Sequence, residues 1–141
     1  MSAREDVETL LNELMPFVEG QLSTEGMLPP FGAVVTTTDQ KEIVRAEPEH
    51  AQNEGLVEAL TSILKKRVDE GDIRLVAIIL DVTATLPGET TQTDAVQFRF
   101  EHKDQYAAEI FVPYTATEDG LVFGKLFGQT GDTIFFPGEA V

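Results

Sequence analysis

One compact cluster in the sequence has the residue types for acid–base or metal chemistry: Glu101, His102 and Asp104. An imidazole beside carboxylates can act as a general base or as a metal ligand. Glu101 and His102 are adjacent, however, so in a strand their side chains point to opposite faces of the sheet. Charged residues are also ordinary in hairpin turns. We therefore predict a solvated turn here rather than a site.

No other motif supplies a nucleophile, a metal site or a phosphate loop. The chain has 2 His and 0 Cys, and the second histidine, His50, lies far from His102 in the sequence. A catalytic zinc normally needs several His or carboxylate ligands. The acidic run 69–72 lacks the alternating spacing of an EF-hand, and no GxSxG elbow surrounds a serine. We predict no catalytic residue, no metal and no cofactor.

Asp81 is the best candidate for a carboxylate with a perturbed pKa, because it follows the apolar run 75–80. Two interpretations are open. In the one we favour, the strand leaves the core at Asp81, and the carboxylate is solvated or bonded to the backbone. In the other, Asp81 lines a polar pocket between helix and sheet with Arg99 and Tyr114. Such a pocket would indicate a small-molecule-binding domain or an enzyme.

Hydrophobic periodicity predicts the elements that must position these residues. Helical spacing predicts a helix at 4–22, which Pro16 should kink or split, and a second helix at 48–70. Strands are predicted at 31–37, 42–46, 73–86, 94–101 and 106–114, with one or two short strands within 121–136.

The order α-β-β-α-β-β-β(-β) is typical of an α+β domain. We expect a mainly antiparallel sheet of about five to six strands with two helices, in a single domain over 1–141. A profilin-like or roadblock-like arrangement would satisfy this order. That comparison is a fold-level analogy and implies no function.

Three stretches carry a resemblance to a known family: Pro30-Phe31-Gly32-Ala33-Val34, Asp94-Ala95-Val96 through Glu101-His102, and Val112-Pro113-Tyr114. They resemble a family of small bacterial proteins of unknown function. The resemblance implies no activity, so no functional residue is carried over from it.

The charge balance restricts the partners of the chain. It has 25 Asp+Glu against 10 Lys+Arg, a formal net charge of -15. Such a surface repels phosphate backbones and attracts basic partners at long range. The plain interpretation of the acidity is solubility or a moderately saline cytoplasm. We predict no nucleic-acid partner, and a basic protein as one of two expected partners.

The second expected partner is another copy of the chain. The segment 121–136 holds four of the 9 phenylalanines, including Phe127, Phe135 and Phe136. Because Phe135 and Phe136 are adjacent, in a strand one ring faces the core and the other faces away. Either another element covers the outward ring, or these phenylalanines form a homodimer interface.

The remaining sequence features concern location. The N-terminus lacks a basic stretch followed by an apolar run, and the longest unbroken apolar run is only 75–80, whereas a membrane helix needs about 20 residues. The lack of cysteine fits a reducing compartment. We predict a soluble cytoplasmic protein without membrane contact. Its predicted function is binding or regulation without catalysis; the alternative is the small-molecule site described above.

Overall fold

A computed structural model describes residues 2–26, 28–45, 53–85, 88, 90–131 and 134–136 of the chain. These residues form two helices and seven strands. The elements are α1 (Ala3–Glu25), β1 (Phe31–Thr36), β2 (Lys41–Val44), α2 (Asn53–Asp69), β3 (Ile73–Thr85), β4 (Gln92–His102), β5 (Tyr106–Thr117), β6 (Gly120–Phe123) and β7 (Phe127–Thr130). The second histidine, His50, and the predicted start of the second helix lie outside the described residues.

The strands form one antiparallel sheet in the order β2-β1-β3-β4-β5-β6, and β7 also pairs with β5. The predicted α+β class and element order are therefore confirmed. The sheet has seven strands rather than five or six, because the tail follows the edge of β5 in two pieces. Between the pairs Tyr114–Phe123 and Phe111–Phe127, three residues (124–126) stand opposite two (112–113). This extra residue is a β-bulge that separates β6 from β7.

Helix α1 is continuous through Pro16, so the predicted split is not observed. Leu14 and Val18 flank the proline and are both buried, while Pro16 itself is exposed. Burial of one apolar stripe on both sides of Pro16 holds the two halves in one helix, which offsets the lost backbone hydrogen bond. The Ser2 hydroxyl caps the helix by accepting the Glu5 backbone N–H at 3.1 Å.

The two helices cover opposite faces of the sheet. Helix α1 packs against Phe98 and Phe100, whose rings point to its side together with Val96. Helix α2 packs against Val34, Val76 and Ile78 on the other side. Side chains of β4 thus alternate between the two faces of the sheet.

Gly32 lets helix α2 approach the sheet closely. A Cβ at this position would lie 3.0 Å from Leu64 Cδ1 and 3.2 Å from the Ala77 carbonyl oxygen. Neither helix within the described residues combines the length and apolarity needed to cross a bilayer.

Candidate functional site

His102 lies in a buried polar cluster, so the predicted solvated turn is wrong for this residue. The residue is 2% exposed. Its Nδ1 accepts the backbone N–H of Asp104 at 3.0 Å, which leaves the ring hydrogen on Nε2 to be donated to Asp6 Oδ2 at 2.8 Å. Both ring nitrogens are therefore occupied by partners within the chain. Only Asp104 keeps the solvent exposure that the sequence predicts.

Arg74 completes this cluster. Its guanidinium donates to both carboxylate oxygens of Asp6, from Nε at 3.2 Å and from Nη2 at 3.3 Å. It also donates to the Thr36 carbonyl at 2.9 Å and to Asp39 Oδ1 at 2.7 Å. A β-bulge aims the side chain: Val35 pairs with Leu75 but Thr36 pairs with Ile73, so Arg74 is an extra residue. One cation thus joins α1, the end of β1 and the β1–β2 turn.

The carboxylate of Asp6 remains charged in this environment. Burial alone raises the pKa of Asp6, but the hydrogen bonds and charges of His102 and Arg74 outweigh burial and hold that pKa below 3.8. Asp6 is buried together with the apolar stripe of α1. Its spacing of four residues from Leu10 and eight from Leu14 is the signal that marks it as buried.

Glu101 points to the other face of the sheet, as its adjacency to His102 predicts, but it is buried rather than solvated. The residue is 3% exposed. The carboxylate accepts the backbone N–H groups of three consecutive residues: Ile134 at 2.6 Å, Phe135 at 2.9 Å, and Phe136. Glu101 therefore fastens the segment 134–136 over the α2-side face of the sheet.

This contact revises the expectation for Phe135 and Phe136. Residues 134–136 form a bend rather than a strand, so the two rings do not alternate. Both rings are half-buried and pack against the apolar cluster beneath α2. Phe127 stacks on Phe111 with ring centroids 5.1 Å apart. The sheet register places Phe127 on the same face of the sheet as Phe135 and Phe136, but it packs beside β5 rather than against the cluster beneath α2.

Of the predicted pocket residues, the fold brings two together and separates the third. The Tyr114 hydroxyl donates to Asp81 Oδ1 at 2.7 Å. Arg99 pairs with Ile78 in the sheet, three residues before Asp81, so its side chain lies on the opposite face. Arg99 instead borders a cavity of about 160 Å³ next to Glu101 and Glu109. The three residues do not line one pocket.

The Asp81–Tyr114 pair bridges β3 and β5 across β4. Partial burial and the nearby Asp94 charge raise the pKa of Asp81, although the Tyr114 hydrogen bond lowers it. Burial and the Asp81 carboxylate raise the pKa of Tyr114, so its hydroxyl keeps its proton and remains a donor. Asp81 as a whole is exposed although Tyr114 covers part of its carboxylate, which agrees with the interpretation that the strand leaves the core there.

An open groove lies between α1 and the tail, and we call it the α1–β7 groove. Its volume is about 650 Å³, within the range of ligand-binding clefts. The wall and floor are mainly apolar, and polar residues Arg4, Glu8 and Gln129 border them. The apolar lining is Val7, Leu11, Tyr106, Ala108, Ile110 and Leu126. Sequence reasoning did not find this groove, because it depends on how far α1 extends across the sheet.

The buried ionisable side chains are bonded within the chain. Within the described residues, no group of three His, Asp or Glu side chains is placed to hold a metal ion. The same residues contain no buried side-chain nitrogen or oxygen without a hydrogen-bond partner. Asp6, Arg74, Glu101 and His102 are thus saturated by contacts that stabilise the fold.

Replacing Asp6 with Asn tests the charge in the buried cluster. Because the folded pKa lies below 3.8, the charge stabilises the fold above that pH and stops doing so as pH falls through the folded value. We expect Asp6→Asn to lower the free energy of unfolding by about 3 kcal/mol at neutral pH. The difference from wild type should shrink below pH 3.8 in urea titrations. The exposed neighbour Asp104→Asn serves as the control, and a pH-independent difference would contradict a charge effect.

Replacing Glu101 with Gln tests its hold on the tail. The amide keeps one acceptor oxygen and loses the charge, so the backbone N–H groups of residues 134–136 lose partners. We expect their hydrogen exchange to accelerate by about tenfold or more, which corresponds to about 1.4 kcal/mol of local opening. Glu109→Gln, which changes a carboxylate on the same face, is the matched control. Unchanged exchange in Glu101→Gln would show that other contacts hold the segment.

Comparisons of the chain with protein-family models, with curated proteins and with solved structures find no match. The resemblance to small bacterial proteins of unknown function therefore stays a prediction. Any functional conclusion depends on the contacts, burial and charge described above.

Proposed function

We propose that this chain is a small non-catalytic binding protein whose partner is a basic polypeptide. The observation that carries the proposal is the α1–β7 groove, an open and mainly apolar recess on a chain with a net charge of -15. Exposed apolar recesses bordered by polar residues are typical of binding sites. Leu126, at the mouth of the groove, is 51% exposed.

The placement of the ionisable residues supports binding rather than catalysis. A catalytic acid or base must be within reach of a substrate. The buried imidazole of His102 is instead bonded at both nitrogens, and the Glu101 carboxylate is occupied by the backbone of the tail. The alternative of a polar pocket formed by Asp81, Arg99 and Tyr114 lacks support, because Arg99 lies on the other face of the sheet.

The charge supports a basic partner. Like charges repel at long range and opposite charges accelerate association, so a net charge of -15 disfavours nucleic acid and favours cationic surfaces. Proteins use such complementarity mainly to choose partners and to speed encounter. Final affinity depends on the apolar contacts that follow.

The proposal is tested by capturing a partner at low salt and then measuring its binding to the chain in purified form. We expect a basic polypeptide whose dissociation constant weakens by about tenfold or more from low to molar salt, because salt screens the attraction. Isothermal titration calorimetry gives the constant at each ionic strength. A purified partner of acidic composition, or an affinity independent of salt, would contradict the proposal.

A second candidate function is self-association, which a different surface favours. Phe127 stacks on Phe111, and both rings are half-buried. Val122, on the same face of the sheet, is 56% exposed. Helix α2 packs mainly on β1 and β3, so it lies away from this patch. A second copy of the chain could cover the patch and form a homodimer.

Salt should affect the two candidates in opposite directions. Two copies of the chain repel each other, so a homodimer should strengthen as salt increases. We expect light scattering across a wide concentration range to detect a dimer at molar salt. Phe127→Ser should remain monomeric there while staying folded. Phe135→Ser is the contrasting variant, expected to lower stability because its ring packs on the α2-side core. A wild-type monomer at every concentration and salt would remove this candidate.

A further inference from the structure

We infer that the α1–β7 groove receives a basic amphipathic helix of the partner, lying alongside the first turns of α1. The inference rests on the proposed function and adds the shape and chemistry of the segment that is bound. Three features lead to it: the length of the groove, the state of the adjacent sheet edge, and the net charge of the chain.

The length of the groove matches two turns of helix. Its wall extends from Arg4 to Asn12 along α1, which is a rise of about 12 Å at 1.5 Å per residue. Anchors at positions i, i+3 or i+4, and i+7 of a bound helix extend over about 10.5 Å. Ala108 and Gly128 provide a low floor because their side chains are small or absent. Three apolar anchors can therefore lie side by side between α1 and β7.

The edge of the sheet beside the groove is unsuited to the addition of an extended strand. Strand β7 has only four residues, and the bulge at 124–126 precedes it. Lys125 places a charge in that bulge. Short edge strands, bulges and lysines are the features by which proteins prevent strand addition at a sheet edge. The apolar face of the groove thus remains the binding surface, and a helix needs no hydrogen bonds from the edge.

The net charge of the chain favours a basic amphipathic helix over an acidic one. A second copy of the chain would bring another net charge of -15 and repel the first. The Glu8 carboxylate lies on the groove wall, where it forms an exposed ion pair with Arg4. Exposed ion pairs are weak, so this pair competes little with a lysine or arginine of the partner for Glu8. Lysines or arginines flanking the apolar anchors would gain the long-range attraction of the acidic chain, while the positive charge of Arg4 on the same wall offsets the local attraction of Glu8.

The test uses a defined probe: a leucine–lysine peptide of about 14 residues with leucines at helical spacing. A peptide of identical composition in scrambled order retains the charge and loses the apolar face. We expect the helical peptide to bind the wild-type chain at least about tenfold more tightly than the scrambled one in fluorescence anisotropy. A leucine–glutamate peptide of the same pattern should bind more weakly than either.

Two matched variants locate the binding surface. Leu126→Glu places a charge at the groove mouth, and Val122→Glu places the same charge on the opposite face of the tail; both positions are about half exposed, so both variants should fold. Each adds a negative charge that by itself favours a basic peptide. We expect Leu126→Glu nevertheless to weaken binding of the helical peptide by about tenfold or more, and Val122→Glu to leave it unchanged.

Each other outcome has a definite meaning. Equal binding of the helical and scrambled peptides, with no effect of Leu126→Glu, would overturn the inference and leave a basic partner in place. If neither the helical nor the scrambled lysine peptide binds at low salt, both the inference and the proposed function are overturned. Tight binding of the leucine–glutamate peptide would assign the groove to an apolar ligand regardless of charge. A homodimer that Leu126→Glu dissolves would assign the groove to a second copy; both of these results overturn the inference.

Discussion

The position of α1 depends on the carboxylate of Asp6. This group enters a buried cluster at the first turn of the helix, where Arg74 and His102 meet it from β3 and β4. Buried ion pairs add little net stability, because desolvation offsets much of the attraction, but a charge left without its partners is costly. A shift of α1 that separated Asp6 from Arg74 and His102 would therefore cost free energy, so the cluster holds the helix in one position. The wall of the α1–β7 groove is fixed by the same contact, since Val7 and Leu11 follow Asp6 on the helix.

The groove exists because the sheet is wider than helix α1, which covers only part of this face. Helix α1 packs on β4 and β6, while β7 extends the sheet beyond the helix beside the first half of β5. The bulge at 124–126 separates the two tail strands and leaves Leu126 at the mouth of the recess. On the other face, the bend at 134–136 fills part of the space that α2 leaves open, fastened by Glu101.

Sequence patterns predicted the elements well because periodicity is local. The stripe from Val7 to Leu22 and the alternation from Val96 to Phe100 each depend on neighbours within a few residues. The polar contacts depend on distant residues: His102 and Asp6 are 96 positions apart, and Glu101 meets residues 33 to 35 positions further on. No local pattern specifies such partners, so Glu101 and His102 were predicted as solvated. The groove was not predicted for the same reason, since its walls come from opposite ends of the chain.

The acidic residues of this chain serve two physical roles that composition cannot separate. Asp6 and Glu101 are buried and hold the helix and the tail, whereas exposed carboxylates such as Glu8 give the surface its charge. Long-range charge attracts any cationic chain and so cannot by itself select a partner. Selection requires a surface on which a wrong sequence leaves apolar groups exposed. The α1–β7 groove provides such an apolar face on a chain whose net charge is -15. Attraction then brings basic chains to the protein, and the spacing of their apolar residues decides which of them stay bound.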